Sequence, residues 1–152
     1  TGSDVLRSND QGHELRFWDV PSGQPITEGG KVCRDLPWAS FRVTLGYHCQ
    51  GVYRGAADGS SVQAIDRSSD QALLATVDNL GQVHLFRNPC VVPEAPGEPN
   101  RRSYNAHASA ALDCHFAGSN DELVVTVGGY DLTLMQWARV PDGAPTALRR
   151  GG

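Results

Sequence analysis

The sequence predicts an all-β protein built from repeated β-hairpins. Three stretches share one construction, in which an apolar residue lies twelve positions before a closing aromatic residue. These pairs are Leu6 with Trp18, Leu74 with Phe86, and Val125 with Trp137. A recurring hairpin of this kind, which in its first copy closes on the dipeptide Trp-Asp, is typical of β-propeller blades of the WD40 class. The chain is therefore predicted to be a set of propeller blades.

The first hairpin and the segment after it predict the end of one blade and a long excursion. Residues 4–20 supply two strands joined by a turn. Residues 21–37 are rich in glycine, proline and polar side chains and predict a loop, with a short helical turn near residues 29–36. Residues 41–53 are rich in β-branched and aromatic residues but contain two glycines, so we expect an outer strand with a bulge or bend.

A complete blade is predicted next. A turn at residues 56–60 leads to a short inner strand at residues 62–66, and the hairpin of residues 73–87 follows. Residues 88–103 contain four prolines, which cannot lie inside a sheet. We expect them to form a linker that crosses the rim between two blades.

The last hairpin completes a second blade. Before it, Leu112, Cys114 and Phe116 alternate with polar residues and are expected to share one face of a strand. The tail after Val140 has little to bury and is expected to be mobile. The predicted segments are residues 1–20 (end of a blade), 21–60 (long loop and outer strand), 61–90 (blade), 91–103 (proline-rich linker), 104–140 (blade) and 141–152 (tail).

Spacing gives the number of blades. The closing aromatics are 68 and then 51 residues apart, whereas a WD40 repeat has about 40–45 residues, so the two long loops carry the excess. About two and a half blades are present, and propellers close with roughly four to eight. We expect the chain to be a piece of a longer polypeptide, or to pack against another chain.

Composition excludes several classes of protein. A net charge of −4 and a pI near 5.6 do not favour nucleic acid as a partner. No apolar run approaches the ~20 residues that cross a bilayer, and the polar start of the chain does not read as a signal peptide. The four cysteines are widely spaced, so we interpret them as reduced thiols of an intracellular protein.

Several runs resemble one known family. They are DVLRSNDQG with LRFWD, VQAIDRSSDQALLATVDNLGQVHLFRNPC, and YNAHAS with TVGGYDLTLMQW. From Asp4 to Val140 the chain resembles the C-terminal propeller end of the echinoderm microtubule-associated-protein-like proteins. The resemblance implies part of a tandem pair of joined propellers that associates with microtubules or tubulin, without a cofactor. It implies a location in the cytoplasm and cytoskeleton, with the ciliary or flagellar axoneme and its proteins as an alternative.

A hydrogen-bond network is predicted in the last blade. His107, Asp131 and Trp137 stand where a WD40 blade has the histidine, the turn aspartate and the tryptophan of its internal network. The usual hydroxyl position is Gly129, so Thr126 is the alternative hydroxyl. The other closing residues given a structural role are Trp18, Asp19 and Phe86. In the middle hairpin the aspartate position is occupied by Leu80, and no network is expected there.

Catalytic and metal sites are not predicted. No G-x-S-x-G or other nucleophile motif is present, and the blade hairpins explain the same hydroxyl and carboxylate residues. Two adjacent histidine–cysteine pairs occur, but neighbours on a strand point to opposite faces and do not chelate one ion easily.

Function is expected to reside in surfaces and loops. The basic doublets Arg101-Arg102 and Arg149-Arg150 are interpreted as solvated loop charge, or as contacts for an acidic surface, with Arg101-Arg102 the preferred candidate. The long loops at residues 21–37 and 88–103 are further candidate contacts. The prediction is a non-catalytic scaffold associated with microtubules, or alternatively a general WD40 adaptor that assembles a signalling or degradation complex.

Overall fold

The computed structural model describes residues 4–10, 12–53, 61–91 and 101–140. Within them the chain forms three antiparallel sheets with strand orders β1-β2-β3, β4-β5-β6-β7 and β10-β9-β8, which confirms the all-β prediction. The strands are β1 (Val5–Asn9), β2 (Leu15–Asp19), β3 (Gln24–Pro25), β4 (Val62–Arg67), β5 (Leu73–Asp78), β6 (Gln82–Arg87), β7 (Arg101–Asn105), β8 (Ala111–Ala117), β9 (Leu123–Gly128) and β10 (Leu134–Ala138). A short helix α1 (Gly29–Val32) and a 3-10 helix (Tyr47–Tyr53) complete the described elements.

The three predicted hairpins are present, with one difference in register. Leu6 lies opposite Trp18, and Leu74 lies opposite Phe86. In the third hairpin Trp137 lies opposite Val124, because its connection at residues 128–133 is one residue longer than that at residues 78–82. Val125 therefore lies opposite Gln136, although its distance in sequence from the closing aromatic is the same as in the other two hairpins.

Two apolar clusters lie on the two faces of the second sheet. Ile65, which is fully buried, and Leu74 point into the first cluster. Ala64 and Ala75 point into the second, toward β8 and β9. Because strand residues alternate between faces, a sheet that is apolar on both sides must be covered on both sides. The remaining members are Phe41, Cys49, Val52, Phe86 and Cys90 in the first cluster and Val77, Val83, Ala111, Cys114 and Val124 in the second.

The outer strand predicted at residues 41–53 is absent, and that prediction is wrong. The first part of this segment is irregular, and the 3-10 helix follows it. Phe41, Cys49 and Val52 all bury their side chains in the first cluster, which a strand with alternating faces could not achieve. Gly51 lies so close to Cys90 that a Cβ atom would stand 2.8 Å from its Sγ.

The two long loops are partly structured. The short helical turn expected near residues 29–36 is confirmed as α1, but β3 was missed, and its Pro25 lies opposite Trp18. Residues 101–103, which the sequence assigns to the proline-rich linker, begin β7 and pair with β6. The predicted turn at residues 56–60 and the tail at residues 141–152 lie outside the described residues.

A β-bulge changes the face of one predicted core residue. The pairing of β8 with β9 shifts between Ala111 and Asp113. Leu112 is therefore 54% exposed, although Cys114 is buried as expected. All four cysteines are buried and unpaired. No helix in the described parts of the chain is long and apolar enough to span a membrane.

The third sheet ends at β10. The second sheet has β7 as a fourth, outer strand, whereas no strand of the described ranges pairs with the outer edge of β10. Leu134 on this strand is 63% exposed. An uncovered strand edge with apolar side chains is a place where further chain can add.

Candidate interaction surface and the networks that hold it

The four residues of the predicted network meet at the third sheet and form one continuous chain of hydrogen bonds. His107 lies in the loop before β8, and its side chain is fully buried. Its Nδ1 lies 3.0 Å from Asp131 Oδ2, and its Nε2 lies 2.9 Å from Thr126 Oγ1. The Trp137 indole donates to the same hydroxyl at 3.0 Å. Thr126 therefore supplies the hydroxyl in place of residue 129.

Asp131 connects this network to two loops. It accepts hydrogen bonds from the backbone N–H groups of Ala108 at 3.0 Å and Thr133 at 3.2 Å. Burial alone would raise the pKa of Asp131, but these donors and His107 outweigh it and lower the pKa. Gly128 makes room for this carboxylate, because a Cβ at that position would overlap Asp131 Oδ1. The turn of the last hairpin is thus locked to the loop before β8.

The second sheet has a network of its own, built from other positions. Asp78, which is 1% exposed, lies 3.1 Å from His84 Nε2, and His84 Nδ1 lies 2.8 Å from the Ser103 hydroxyl. Asp78 also accepts from the N–H groups of Leu80 and Gln82. The prediction that this hairpin lacks a network is wrong, because its carboxylate stands at the end of β5 and not in the turn. The sequence signal for this network was Asp78, an aspartate that ends a strand just before a tight turn.

The order of these groups differs from a hydrolase triad. In a triad the carboxylate holds Nδ1 and the nucleophilic hydroxyl contacts Nε2, whereas here Ser103 contacts Nδ1 of His84. The Asp78 carboxylate is also engaged by two backbone donors of the turn. This geometry supports a role in fixing the hairpin to β7.

Phe86 replaces tryptophan as the closing aromatic of the second sheet. It is 2% exposed and packs in the first cluster. Thr76 holds the position that Thr126 has in the third sheet, but a phenyl ring has no N–H to donate. The buried Thr76 hydroxyl has no hydrogen-bond partner among the described residues.

The first sheet repeats part of the pattern. The Trp18 indole donates to the Ser8 hydroxyl at 3.1 Å. Asp19 instead closes the following turn, where it accepts from the Ser22 backbone at 2.9 Å and from the Ser22 hydroxyl. The hydrogen bond from the Ser22 hydroxyl has the larger effect and that from the Ser22 N–H the smaller, and both lower the pKa of Asp19.

Arg101 and Arg102 lie on β7 and not in a loop. Their strand partners on β6 are Phe86 and Leu85, respectively. Arg101 is half-buried and Arg102 is exposed, and both make interactions within the chain. Neighbouring strand positions point to opposite faces, so the two guanidinium groups do not form one patch.

Polar contacts join the second and third sheets. Asp66 accepts from the Phe116 backbone at 2.9 Å, and Asp121 accepts from the backbone and hydroxyl of Ser69 at 2.5 and 2.6 Å. Arg139 lies 3.2 Å from Asp70. Together with the second apolar cluster, these contacts fix the relative position of the two sheets.

A cluster of arginines that the sequence did not suggest lies on the other side of the second sheet. The guanidinium carbon of Arg7 lies 4.5 Å from the centre of the Trp38 ring and 4.4 Å from that of Phe41. The same carbon of Arg67 lies 4.8 Å from the centre of the Phe41 ring. Two cations therefore share one aromatic ring.

A third arginine extends this cluster. Arg34 lies 4.9 Å from the Tyr47 ring, which contacts His48 edge-on at 5.4 Å between ring centres. Burial, followed by the positive charge of Arg67, lowers the pKa of His48. We call Arg7, Arg34 and Arg67, with the rings that they cover, the arginine cluster. Its members come from distant parts of the sequence, so no local pattern could reveal it.

No metal site is present in the described part of the chain, since nowhere do three histidine, cysteine, aspartate or glutamate side chains come close enough to hold an ion.

Sheets of three or four antiparallel strands that pack face to face, with hydrogen-bond networks joining their turns, define a partial β-propeller of the WD40 class. The chain belongs to the echinoderm microtubule-associated protein family. The family model described as "Echinoderm microtubule-associated protein second beta-propeller" matches residues 1–139. The assignment agrees with the resemblance inferred from the sequence.

Individual relatives are moderately similar. Echinoderm microtubule-associated protein-like 4 of Xenopus tropicalis is 34% identical over 132 residues, which are 87% of this chain and 14% of the relative. Echinoderm microtubule-associated protein-like 1 of Homo sapiens is 36% identical over 135 residues, which are 89% of this chain and 16% of the relative. The chain thus spans less than a fifth of the length of these relatives. The crystal structure of the computationally designed Ika4 protein aligns with 91% of this chain and 62% of its own, with a TM-score of 0.41 and 13% identity.

Proposed function

We propose that the chain is part of a non-catalytic scaffold that associates with microtubules or tubulin through propeller surfaces and loops. The observation that carries this proposal is the family membership, since the relatives are named as microtubule-associated proteins. The location that follows is the cytoskeleton and cytoplasm, with the ciliary axoneme as a narrower alternative. No cofactor is needed for surface recognition.

The networks around His107 and Asp78 support a scaffold role. In each network the histidine and the carboxylate form hydrogen bonds with turns and neighbouring strands, so these groups stabilise the geometry of the loops. Loops held on a rigid sheet present a preformed surface, which lowers the entropic cost of binding a partner. Recognition by such a surface needs no chemical step.

Further blades of the same longer polypeptide are the second proposed partner. The outer edge of β10 pairs with no strand of the described ranges, and Leu134 on it is exposed, which favours completion of the third sheet by another strand. The small share of each relative that the chain covers leaves ample sequence for such blades.

The test is recovery of partners from cell extract with the full-length polypeptide as bait. Enrichment of tubulin above a bait that lacks the propeller region supports the proposal. Recovery of ubiquitin-ligase or signalling subunits without tubulin would replace it with the adaptor function.

A further inference from the structure

Among the described residues, acidic neighbours balance the positive charge of the arginine cluster only in part. Arg34 is paired with Asp35 at 2.8 Å. Asp66, whose charge acts on Arg67, makes its hydrogen bonds with the Phe116 N–H and with His115. Among the described residues, Arg67 makes one hydrogen bond, a long one of 3.4 Å to the Trp38 carbonyl.

Arg7 shows the imbalance most clearly. Its Nη2 is buried and has no hydrogen-bond partner in the described ranges. Burial lowers the pKa of Arg7 to about 10, and the charge of Arg67 acts in the same direction. A guanidinium removed from water without an acceptor costs free energy, so an anion beside it is favoured.

A groove gives access to the Arg67 side of the cluster. It has a volume of about 490 Å³, and its lining includes Trp38, Phe41, Arg42 and Arg67 together with one carboxylate, that of Asp66. Arg42 is held by Asp113. Burial lowers the pKa of Arg67, and the charge of Asp66 acts in the opposite direction. Within the described residues the Arg67 guanidinium forms no ion pair and makes only the long contact with the Trp38 carbonyl. A carboxylate entering the groove can form charge-assisted hydrogen bonds with this guanidinium.

We propose that the arginine cluster docks an acidic polypeptide segment of a partner protein. One carboxylate enters the groove toward Arg67, and others approach Arg34 on the exposed flank, where its side chain is 48% exposed. The chain as a whole carries a charge of −4, so this cluster is a local basic site on an acidic protein. Nucleic acid is disfavoured because the rings that could stack on bases are covered by guanidinium groups.

This inference goes beyond the proposed function and does not depend on it. The test measures fluorescence anisotropy of a labelled oligoglutamate peptide with the full-length protein, with oligoglutamine as the reference peptide. The test variant is Arg34→Gln/Arg67→Gln. The control variant, Arg16→Gln/Arg139→Gln, removes one exposed and one half-buried arginine that are paired with acids outside the cluster.

Loss of two charge-assisted contacts should weaken oligoglutamate binding by about tenfold or more in low salt, and the control should change it by less than about twofold. Arg34→Glu, at an exposed position, should weaken oligoglutamate binding without a change in the melting temperature. This variant therefore distinguishes a loss of binding caused by the changed charge from one caused by loss of folded protein. Equal weakening by both double variants, or equal binding of the two peptides, would overturn the proposal. Microtubule pelleting is scored separately, so a protein that binds oligoglutamate but not microtubules keeps this site and loses the proposed function.

Discussion

The indole nitrogen of Trp137 donates a hydrogen bond to the Thr126 hydroxyl over 3.0 Å, and His107 contacts the same oxygen. In the second sheet the equivalent Thr76 hydroxyl is buried without a partner in the described part of the chain. Two threonines at matching strand positions therefore have opposite energetic roles. Substitution of the two threonines by valine should therefore have different effects on stability, and each variant is the control for the other.

Replacement of Thr126 by valine should destabilise the third sheet. The change leaves the Trp137 N–H without its acceptor and His107 Nε2 without its hydrogen-bond partner, at a cost of about 1–3 kcal/mol, whereas Thr76→Val removes only an unsatisfied hydroxyl and should be neutral or stabilising. Hydrogen–deuterium exchange of β9 and β10, compared with β5 and β6, measures both effects. Equal loss of protection in the two variants would contradict the assigned roles.

Gly128→Ala should destabilise the same sheet through a clash. The new Cβ overlaps the Asp131 carboxylate and approaches His107 Nδ1 to 2.5 Å, and such overpacking costs about 1–3 kcal/mol. The cost should fall when Asp131 is also changed to alanine, since the clashing group is then absent. Gly30→Ala is the control, because nothing lies within 4 Å of the added atom. Purely additive effects in the double variant would show that the clash is not with Asp131.

Asp70 should make stability depend on pH in the acidic range. The Ser68 hydroxyl, then the Ala72 N–H and Arg139, lower the pKa of Asp70 from 3.8 to about 2. A depressed carboxyl pKa stabilises the folded state above the unfolded value, and this contribution is lost as the pH falls through the folded value. The stability difference between the wild type and Asp70→Asn should therefore shrink between pH 3.8 and about 2. Chemical denaturation across this range measures it, and a constant difference would contradict the assignment.

The buried cysteines should resist alkylation. Burial raises the pKa of Cys49 and of Cys114 to about 12 and that of Cys90 to about 11, and the thiolate is the reactive form. Iodoacetamide at neutral pH should leave these three thiols unmodified in the native protein and label them in urea. Rapid labelling of Cys114 in the native protein would show that the second apolar cluster opens readily.

The hairpins could be predicted from the sequence because their signals are local. Alternating apolar residues and a turn specify β5 and β6, or β9 and β10, without reference to other parts of the chain. The positions of His107, Asp131 and Trp137 were also readable, since a WD40 blade fixes their spacing, whereas Thr126 entered only as the alternative to the usual hydroxyl position at Gly129.

The missed features depend on contacts between distant segments. The segment Phe41–Tyr53 resembles a strand by composition. Phe41, Cys49 and Val52 nevertheless all pack in the first cluster, and this packing favours the 3-10 helix at Tyr47–Tyr53. The arginine cluster likewise forms only when separate strands and loops meet. Composition and spacing do not report such contacts.

The most direct test of the scaffold account is co-sedimentation of the full-length polypeptide with polymerised microtubules at low and moderate salt. The account predicts that the protein pellets with microtubules at low salt and is partly released as salt screens charged contacts. Protein that remains in the supernatant at low salt, while circular dichroism shows it to be folded, would contradict the proposed association with microtubules.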